Sequence, residues 1–520
     1  MSRRLLHPDE YELVSRSSID SKDTFDLDDD DFEAQATPTT STFLRERPSL
    51  FRRAVARLPL IGSHISRLRQ HRSSPVWRAS RTVKPFSLTY RSVTHVLHWT
   101  LVAVVVLVVA TALIRPSYTH LPAHYVARRE TAYASTVPGR GNTNNETVFI
   151  AASLYDPTGA VVGGSWGQSI LQLIDLIGDD KAFLSIYENN SGEAGHSALK
   201  EFEKKLKCRN SITYEATMDA KGVQQITLPD GTKRVKRIAY LAEVRNRALR
   251  ILDTDTSLPK FDRLLYVNDI VFDPVDALQL LFSTNVDADG VAQYRAACAT
   301  DFINAFKFYD TFATRDLEGY SMGNAQSRQD VLDQKDAVRV RSCWGGMVAF
   351  DASYFQTKTS PARFRAEDDA FWDASECCLI HADIQKAPDN SDSADLQDMD
   401  TGIYMNPYVR VAYDDSVLSW LSFTRRFERL YSPIQILVSR IAGLPRFNPR
   451  RTERVGEKVK DMVFVANANS TSKHSGSWKP IDRIAGTGGF CGRRGAQVMI
   501  EHPKKGHKNW EPLEIPPGAP

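Results

Sequence analysis

Residues 96–114 read VLHWTLVAVVVLVVATALI, 19 positions without a formal charge. At 1.5 Å of rise per residue, a helix of this length covers roughly the ~30 Å hydrocarbon layer of a bilayer. A helix buried in a soluble domain would show an apolar stripe with polar gaps, whereas residues 101–110 are apolar on every side. The run starts too late in the chain and is too long for the apolar core of a cleaved secretion signal. A membrane anchor is therefore expected. Upstream lie Arg67, Arg69, Arg72, Arg78, Arg81, Lys84 and Arg91 with no acid among them, while only Arg115, Arg128 and Arg129 follow closely. The positive-inside bias predicts a cytosolic N-terminus, a single pass, and residues 115–520 in the lumen or outside.

The remaining chain fits that topology. All six cysteines (Cys208, Cys298, Cys343, Cys377, Cys378 and Cys491) follow the span, which suits disulfides in an oxidising compartment without choosing among the pairings. N-glycosylation sequons at Asn145, Asn189 and Asn469 lie on the same side. Residues 1–33 hold 4 Lys/Arg against 11 Asp/Glu, and residues 34–95 hold 12 against 1. Charge segregated in this way predicts a disordered cytosolic tail over 1–95. The whole chain nevertheless carries only +3, which argues against a nucleic-acid-coating protein. Pro, Gly and Asn over 115–146 predict a stem, and the last residues from 426 a wrapping extension and tail.

Between them, residues 147–425 alternate two periods. Strands are predicted at 148–154, 182–187, 212–217 and 263–272. Helices are predicted around Trp166, Ile170, Leu173, Ile174 and Ile177, at 198–206, at 237–252, and at 273–282 beginning on Asp-Pro. Beyond 296–301 the pattern loosens, and 389–400 reads as an exposed acidic loop. Such alternation predicts an α/β fold with a mainly parallel sheet covered on both faces. Ligands of such sheets gather at the carboxyl ends of the strands, where Tyr155, Asp156, Glu188, Asn268 and Asp269 fall.

No P-loop, serine-hydrolase elbow, zinc-protease or protein-kinase signature is present. The glycines of 486–492 read better as a turn than as a phosphate cradle, since no strand precedes them in a β-α-β unit. Asn268-Asp269 ends an apolar strand, and a carboxylate there can hold a hard divalent ion that neutralises a diphosphate. Glu243, Arg245 and Asn246 lie on the preceding helix, with Arg245 24 residues before Asp269; GT-A nucleotide-sugar transferases have a similar helix at about that gap. Glu367, Asp368 and Asp369 repel one another, so convergence in a pocket would need a cation, an Arg partner or raised pKa values. They are read as an acceptor-side site or as a solvated helix start. Trp344, before Gly345-Gly346, can stack on a sugar or pack in the core. His381 can ligate a metal, donate to a diphosphate, or be structural.

Collectively these stretches resemble the fungal capsule-associated (CAP59-like) family, which includes cryptococcal α-1,3-mannosyltransferase. The resemblance rests on FIAASLYD (149–156), LSIYE (184–188), AEVRN (242–246), VNDIVF (267–272), FYD (308–310) with Arg315-Asp316, SCWGG (342–346), RAEDD (365–369), ECCLIHAD (376–383) and MNPYVRVAYD (405–414), with a weaker echo in GGFCG (488–492). It implies a type II glycosyltransferase of the Golgi or another secretory membrane with a GT-A-like domain. GDP-mannose would be the donor, Mn²⁺ the cofactor and a glycan the acceptor, with an α-1,3 link formed with retention. On this reading Asp269 and His381 hold the metal, and Tyr155, Glu188, Arg245, Asn246, Asn268 and Trp344 bind the donor. Glu367, Asp368 and Asp369 serve catalysis on the acceptor side. The bilayer is met through residues 96–114, and no nucleic acid is bound. The rival class is a non-catalytic lumenal factor that binds or exports polysaccharide; a glycosidase is less favoured by the strand order.

Overall fold

The structure is a computed structural model that describes residues 90–228, 231–308, 310–320, 325–386, 399–430, 448–466, 476–500 and 509–519. The expected tail up to residue 89, most of the acidic loop and the sequon at Asn469 lie outside them. Helix α1 (Tyr90–Ile114) contains the apolar run, and Thr94–Ile114 is, among the described residues, the one helix long and apolar enough to cross a membrane. Its Val96, Leu97, Leu101, Leu107 and Leu113 side chains are exposed. The hydroxyls of Thr100 and Thr111 donate to the carbonyls of Val96 and Leu107 at 2.8 and 2.7 Å, so these polar side chains are satisfied inside the helix.

After α1 come α2 (Ala123–Ala134), β1 (Val148–Leu154), α3 (Ser165–Ile177), β2 (Ala182–Asn189), α4 (Gly192–Glu203), β3 (Arg209–Glu215), α5 (Arg237–Leu249), β4 (Arg263–Val267), α6 (Pro274–Ser283), β5 (Ala296–Asn304), β6 (Met347–Asp351), α7 (Glu376–Ile384), β7 (Ile403–Ala412) and α8 (Asp415–Thr424). The seven strands stand in the order β3-β2-β1-β4-β6-β5-β7, with short edge pieces at Lys307–Phe308 and Val338–Arg339. Of the seven, β6 alone runs against the others, and both edge pieces pair antiparallel. This is a mainly parallel α/β sheet.

Alternation along β1 shows why both faces are covered. Val148, Ile150, Ala152 and Leu154 pack with Ile170, Leu173 and Ile174 of α3 and Leu278 of α6. Phe149 and Ala151 face the other layer, with Ala242, Ala248 and Leu249 of α5 and Leu379 and Ile380 of α7. Each such large apolar side chain contributes roughly 1.5–3 kcal/mol on burial. Helix α6 begins where Asp-Pro predicts, with the Asp273 carboxylate accepting from the Val275 N–H at 2.8 Å.

Three expectations need correction. Strand β4 ends at Val267 and does not run to Phe272, because Asn268 is drawn off the ladder by contacts described below. Strands β6 and β7 occupy the stretch in which the periodicity loosens: two glycines precede β6, and Asn406-Pro407 interrupts β7, whose pairing with β5 shifts register between Met405 and Arg410. The stem is also folded. Arg128 of α2 donates to Ser283 Oγ at 2.8 Å and to the carbonyls of Gly141 and Phe282 at 2.8 and 3.1 Å, and Tyr125 is fully buried.

Described residues beyond α8 pack on the domain. The segment Trp372–Ala374 pairs with Gly492–Arg494, and Cys378 is bonded to Cys491. A second disulfide joins Cys298 to Cys343, while Cys208 and Cys377 stay buried thiols; two pairs form, not three. Arg315 is buried and donates to the Phe490 and Cys491 carbonyls at 3.2 and 3.1 Å, which makes the glycine-rich 488–492 segment a structural turn.

Candidate active site

The end of β4 is held from several directions. The Asn268 N–H donates to the Gly346 carbonyl at 2.9 Å, and the Asn268 carbonyl accepts from Trp166 Nε1 at 2.8 Å. Three residues on, Val271 exchanges backbone hydrogen bonds with Ala412 at 2.7 and 3.1 Å. The half-buried Asp269 is thereby carried on a short, pinned turn at the carboxyl edge of the sheet. Gly345 and Gly346 have φ of +56° and +66°, and a Cβ on Gly345 would stand 1.9 Å from the Ala299 carbonyl oxygen. Only glycine fits that approach.

Arg245 and Asn246 were expected to orient the donor, but their polar atoms are engaged by the protein. Arg245 is buried; its Nε donates to Glu376 Oε1 at 3.0 Å, and NH1 donates to Asn268 Oδ1 at 3.1 Å. Its guanidinium lies 4.4 Å from the Trp344 ring centroid. Trp344 is itself buried among Tyr266 and Phe364, so its ring packs in the core, the second of its two sequence readings. Asn246 spends both ends of its amide on the Phe364 backbone, donating to the carbonyl at 2.8 Å and accepting from the N–H at 2.9 Å. Both α5 residues therefore brace the loops that carry Asn268 and the 365–369 segment.

The three adjacent acids diverge. Glu367 pairs with Arg365 at 2.9 Å. Asp369 pairs with Arg450 at 2.7 Å and lies 3.4 Å from Arg494, both from the C-terminal extension. Asp368 is exposed and accepts from Gln224 Nε2 at 3.1 Å. The repulsion legible in the sequence is relieved by arginine partners, which leaves Asp368 as the acid facing solvent. Lys236, buried beneath, donates to the carbonyls of Glu367, Asp369 and Trp372 at 3.1, 2.9 and 2.6 Å.

Two strand spacings of ~4.8 Å, or roughly 10 Å, separate the end of β4 from that of β2. There Glu188 lies fully buried. Burial raises its pKa to about 7; the Ser191 hydroxyl offsets this in part, and the nearby Asp156 adds to it. Asp156 is satisfied, accepting from the Val161 and Val162 N–H groups at 2.9 and 3.0 Å. Tyr155 beside it is 37% exposed. Because the folded pKa of Glu188 exceeds the ordinary 4.5, the neutral form is favoured. This contribution to stability is full below the unfolded pKa and is lost as pH rises through about 7. Glu188→Gln is therefore expected to raise stability at pH 8 by about 1–2 kcal/mol, allowing for nearby solvent, with little change near pH 5. Denaturant melts of the two proteins at both pH values check this; an equal effect at the two would contradict it.

Other expected residues lie elsewhere. His381 is fully buried on α7 with Nδ1 2.7 Å from the Cys377 carbonyl and Nε2 3.7 Å from Cys298 Sγ. Burial pulls its pKa down to about 4. Cys298 and Cys343 beside it are oxidised to a disulfide, so His381 has no thiolate or carboxylate with which to share a hard ion, and its metal role is withdrawn. Asn189 is buried in β2 and donates to the Tyr240 hydroxyl at 2.9 Å, which leaves no room for a glycan in this fold. Asn145 is exposed on a turn.

The sequence reading gave no role to Glu376, Lys236 or the pair Asp301 and Asp310. Asp301 accepts from the Asp310 N–H at 3.1 Å and from the Tyr413 hydroxyl at 2.9 Å, and Asp310 accepts from the Gly345 N–H at 3.3 Å. Burial raises both pKa values, and repulsion from Asp310 adds to the rise at Asp301. An acid opening the otherwise apolar ECCLI run was the available signal for Glu376; nothing local marked Lys236.

Residues 147–383 match the model of the family described as Cryptococcal mannosyltransferase 1. The cryptococcal mannosyltransferase match takes in the pinned turn, the Arg245–Glu376 pair and the 365–369 segment; it ends before β7 and the C-terminal wrap. No curated protein matches the chain. Among solved structures, the chain is similar to the mannosyltransferase PcManGT from Pyrobaculum calidifontis in complex with GDP-Man and Mn²⁺, at 12% identity and a TM-score of 0.32, over 61% of this chain and 70% of that one. It is also similar to S. aureus TarS 1–349 in complex with UDP, at 9% identity and a TM-score of 0.27, over 54% and 65%. Mannosyl-3-phosphoglycerate synthase from Rubrobacter xylanophilus aligns at 12% identity and a TM-score of 0.24, over 71% and 91%. At such low scores the strand order, and not these superpositions, defines the fold.

Proposed function

We propose that the chain is a type II glycosyltransferase of the Golgi or another secretory membrane. It transfers mannose from GDP-mannose to a cell-wall, capsule or glycoconjugate acceptor through an α-1,3 link. The observation that carries this reading is Asp269, a half-buried carboxylate on a pinned turn at the carboxyl edge of a GT-A-like sheet, inside the stretch that matches a mannosyltransferase family. Its hard oxygen donors suit Mn²⁺ or another divalent cation, with diphosphate oxygens completing the shell. Such an ion, when bound, neutralises charge developing on the departing diphosphate.

The chain's own residues divide the remaining work. Tyr155 offers an exposed ring for stacking on the donor, and Asp368 faces the acceptor. Arg245, Glu376 and Asn246 brace the Asn268 turn and the chain leading into residues 365–369. Full-length protein incubated with radiolabelled GDP-mannose, Mn²⁺ and mannoside acceptors is expected to yield a labelled product whose linkage analysis gives α-1,3-mannose. Glycan binding without turnover would overturn the enzymatic reading in favour of a non-catalytic lumenal factor.

A further inference from the structure

Two separate parts of the chain meet at one patch of the domain. Ser117 and Tyr118, three and four residues beyond the end of α1 at Ile114, are buried. The Tyr118 N–H donates to Gln334 Oε1, its hydroxyl donates to the Lys335 carbonyl at 3.2 Å, and its ring meets Tyr408 edge-on at 4.8 Å. Four residues of chain reach at most roughly 14 Å. By chain length alone, the surface at which the apolar run ends lies that close to Tyr408 and residues 334–335.

Helix α8 and the 3₁₀ turn after it, Arg425–Phe427, contact the same patch. Arg425 donates to the Tyr408 carbonyl at 3.2 Å, and Arg429 donates to the Leu332 carbonyl at 3.2 Å. Leu421 and Thr424 bury the inner face of α8, while Trp420 and Phe423 are 57% and 51% exposed. Trp420, Phe423 and Phe427 form a ladder, with ring centroids 6.1 and 5.2 Å apart, on one face of the turn. Arg426 is exposed beside them. Aromatic rings next to guanidinium groups that can bind lipid phosphate are the composition of a segment lying in a bilayer interface.

We propose that this face of α8 docks on the headgroup boundary of a phospholipid bilayer, giving the domain a second membrane contact beside its anchor. The inference rests on the reading of α1 as a membrane span, and the test separates the two. Full-length protein in phosphatidylcholine nanodiscs is spin-labelled singly at Phe423→Cys, Trp420→Cys, Val104→Cys or Val455→Cys. Access of each label to oxygen and to a water-soluble nickel chelate is then measured. Expected are a lipid-embedded label at 104, free nickel access at 455, and loss of nickel access with retained oxygen access at 420 and 423. Nickel access at 420 and 423 with 104 in lipid overturns the docking face and leaves the anchor standing. Shielding of 420 and 423 from both reagents marks a protein cover and overturns it too. Nickel access at 104 overturns the anchor, and the docking face with it.

Discussion

Asp269→Asn is expected to lower mannosyl transfer by roughly 10²–10³-fold, the usual scale for removing one group that stabilises charge at the leaving side. Asparagine keeps the size of the side chain, and the turn is held by Asn268 and Val271 through backbone atoms and the Arg245 contact. Denaturant melts of the two proteins show whether the variant stays folded. The loss should fall on turnover at saturating donor and acceptor, measured as labelled product per enzyme. Unchanged turnover in a folded variant would remove Asp269 from the chemistry.

The largest expected effect on stability is at Glu376. Its Oε1 accepts from Arg245 in a fully buried setting. Glu376→Ala leaves a guanidinium uncompensated in the core, a change that costs about 3–5 kcal/mol when one partner of a buried pair is removed. Glu376→Ala combined with Arg245→Met should recover much of that loss, since no unpaired charge then remains. The double variant should nevertheless transfer mannose poorly, because Asn268 loses its 3.1 Å bond from Arg245. Denaturant melts alongside turnover separate the two consequences. If the single variant is as stable as the parent, the pair does not brace the turn.

How much of this was legible depended on the range of the interactions. Strands β1, β2 and β4 are largely apolar runs, and the Asp-Pro start of α6 is a local signal, so these elements could be read directly. The position of Asp269 at a strand end followed from them. The role of Arg245 could not be read in the same way, because its partner Glu376 lies 131 residues away; α5 alone shows only a basic residue on a helix. Asn246 is committed to Phe364, 118 residues on. For Glu367 and Asp369 the need for cationic partners was evident from three adjacent charges, but Arg450 stands beyond the family-matched stretch and only folding brings it there. Strand β7 was hidden by Asn406-Pro407, which the sheet accommodates with a register shift. His381 shows the opposite error: a residue type that often ligates metals is buried here beside a disulfide.

Manganese titrated into the full-length protein with and without GDP, followed through the electron-paramagnetic signal of the free ion, reports the grip of Asp269 without requiring turnover. The expected result is GDP-dependent uptake of about one ion per chain in the parent, lost in Asp269→Asn. Equal uptake by the two proteins would show that the ion, if held at all, is held elsewhere.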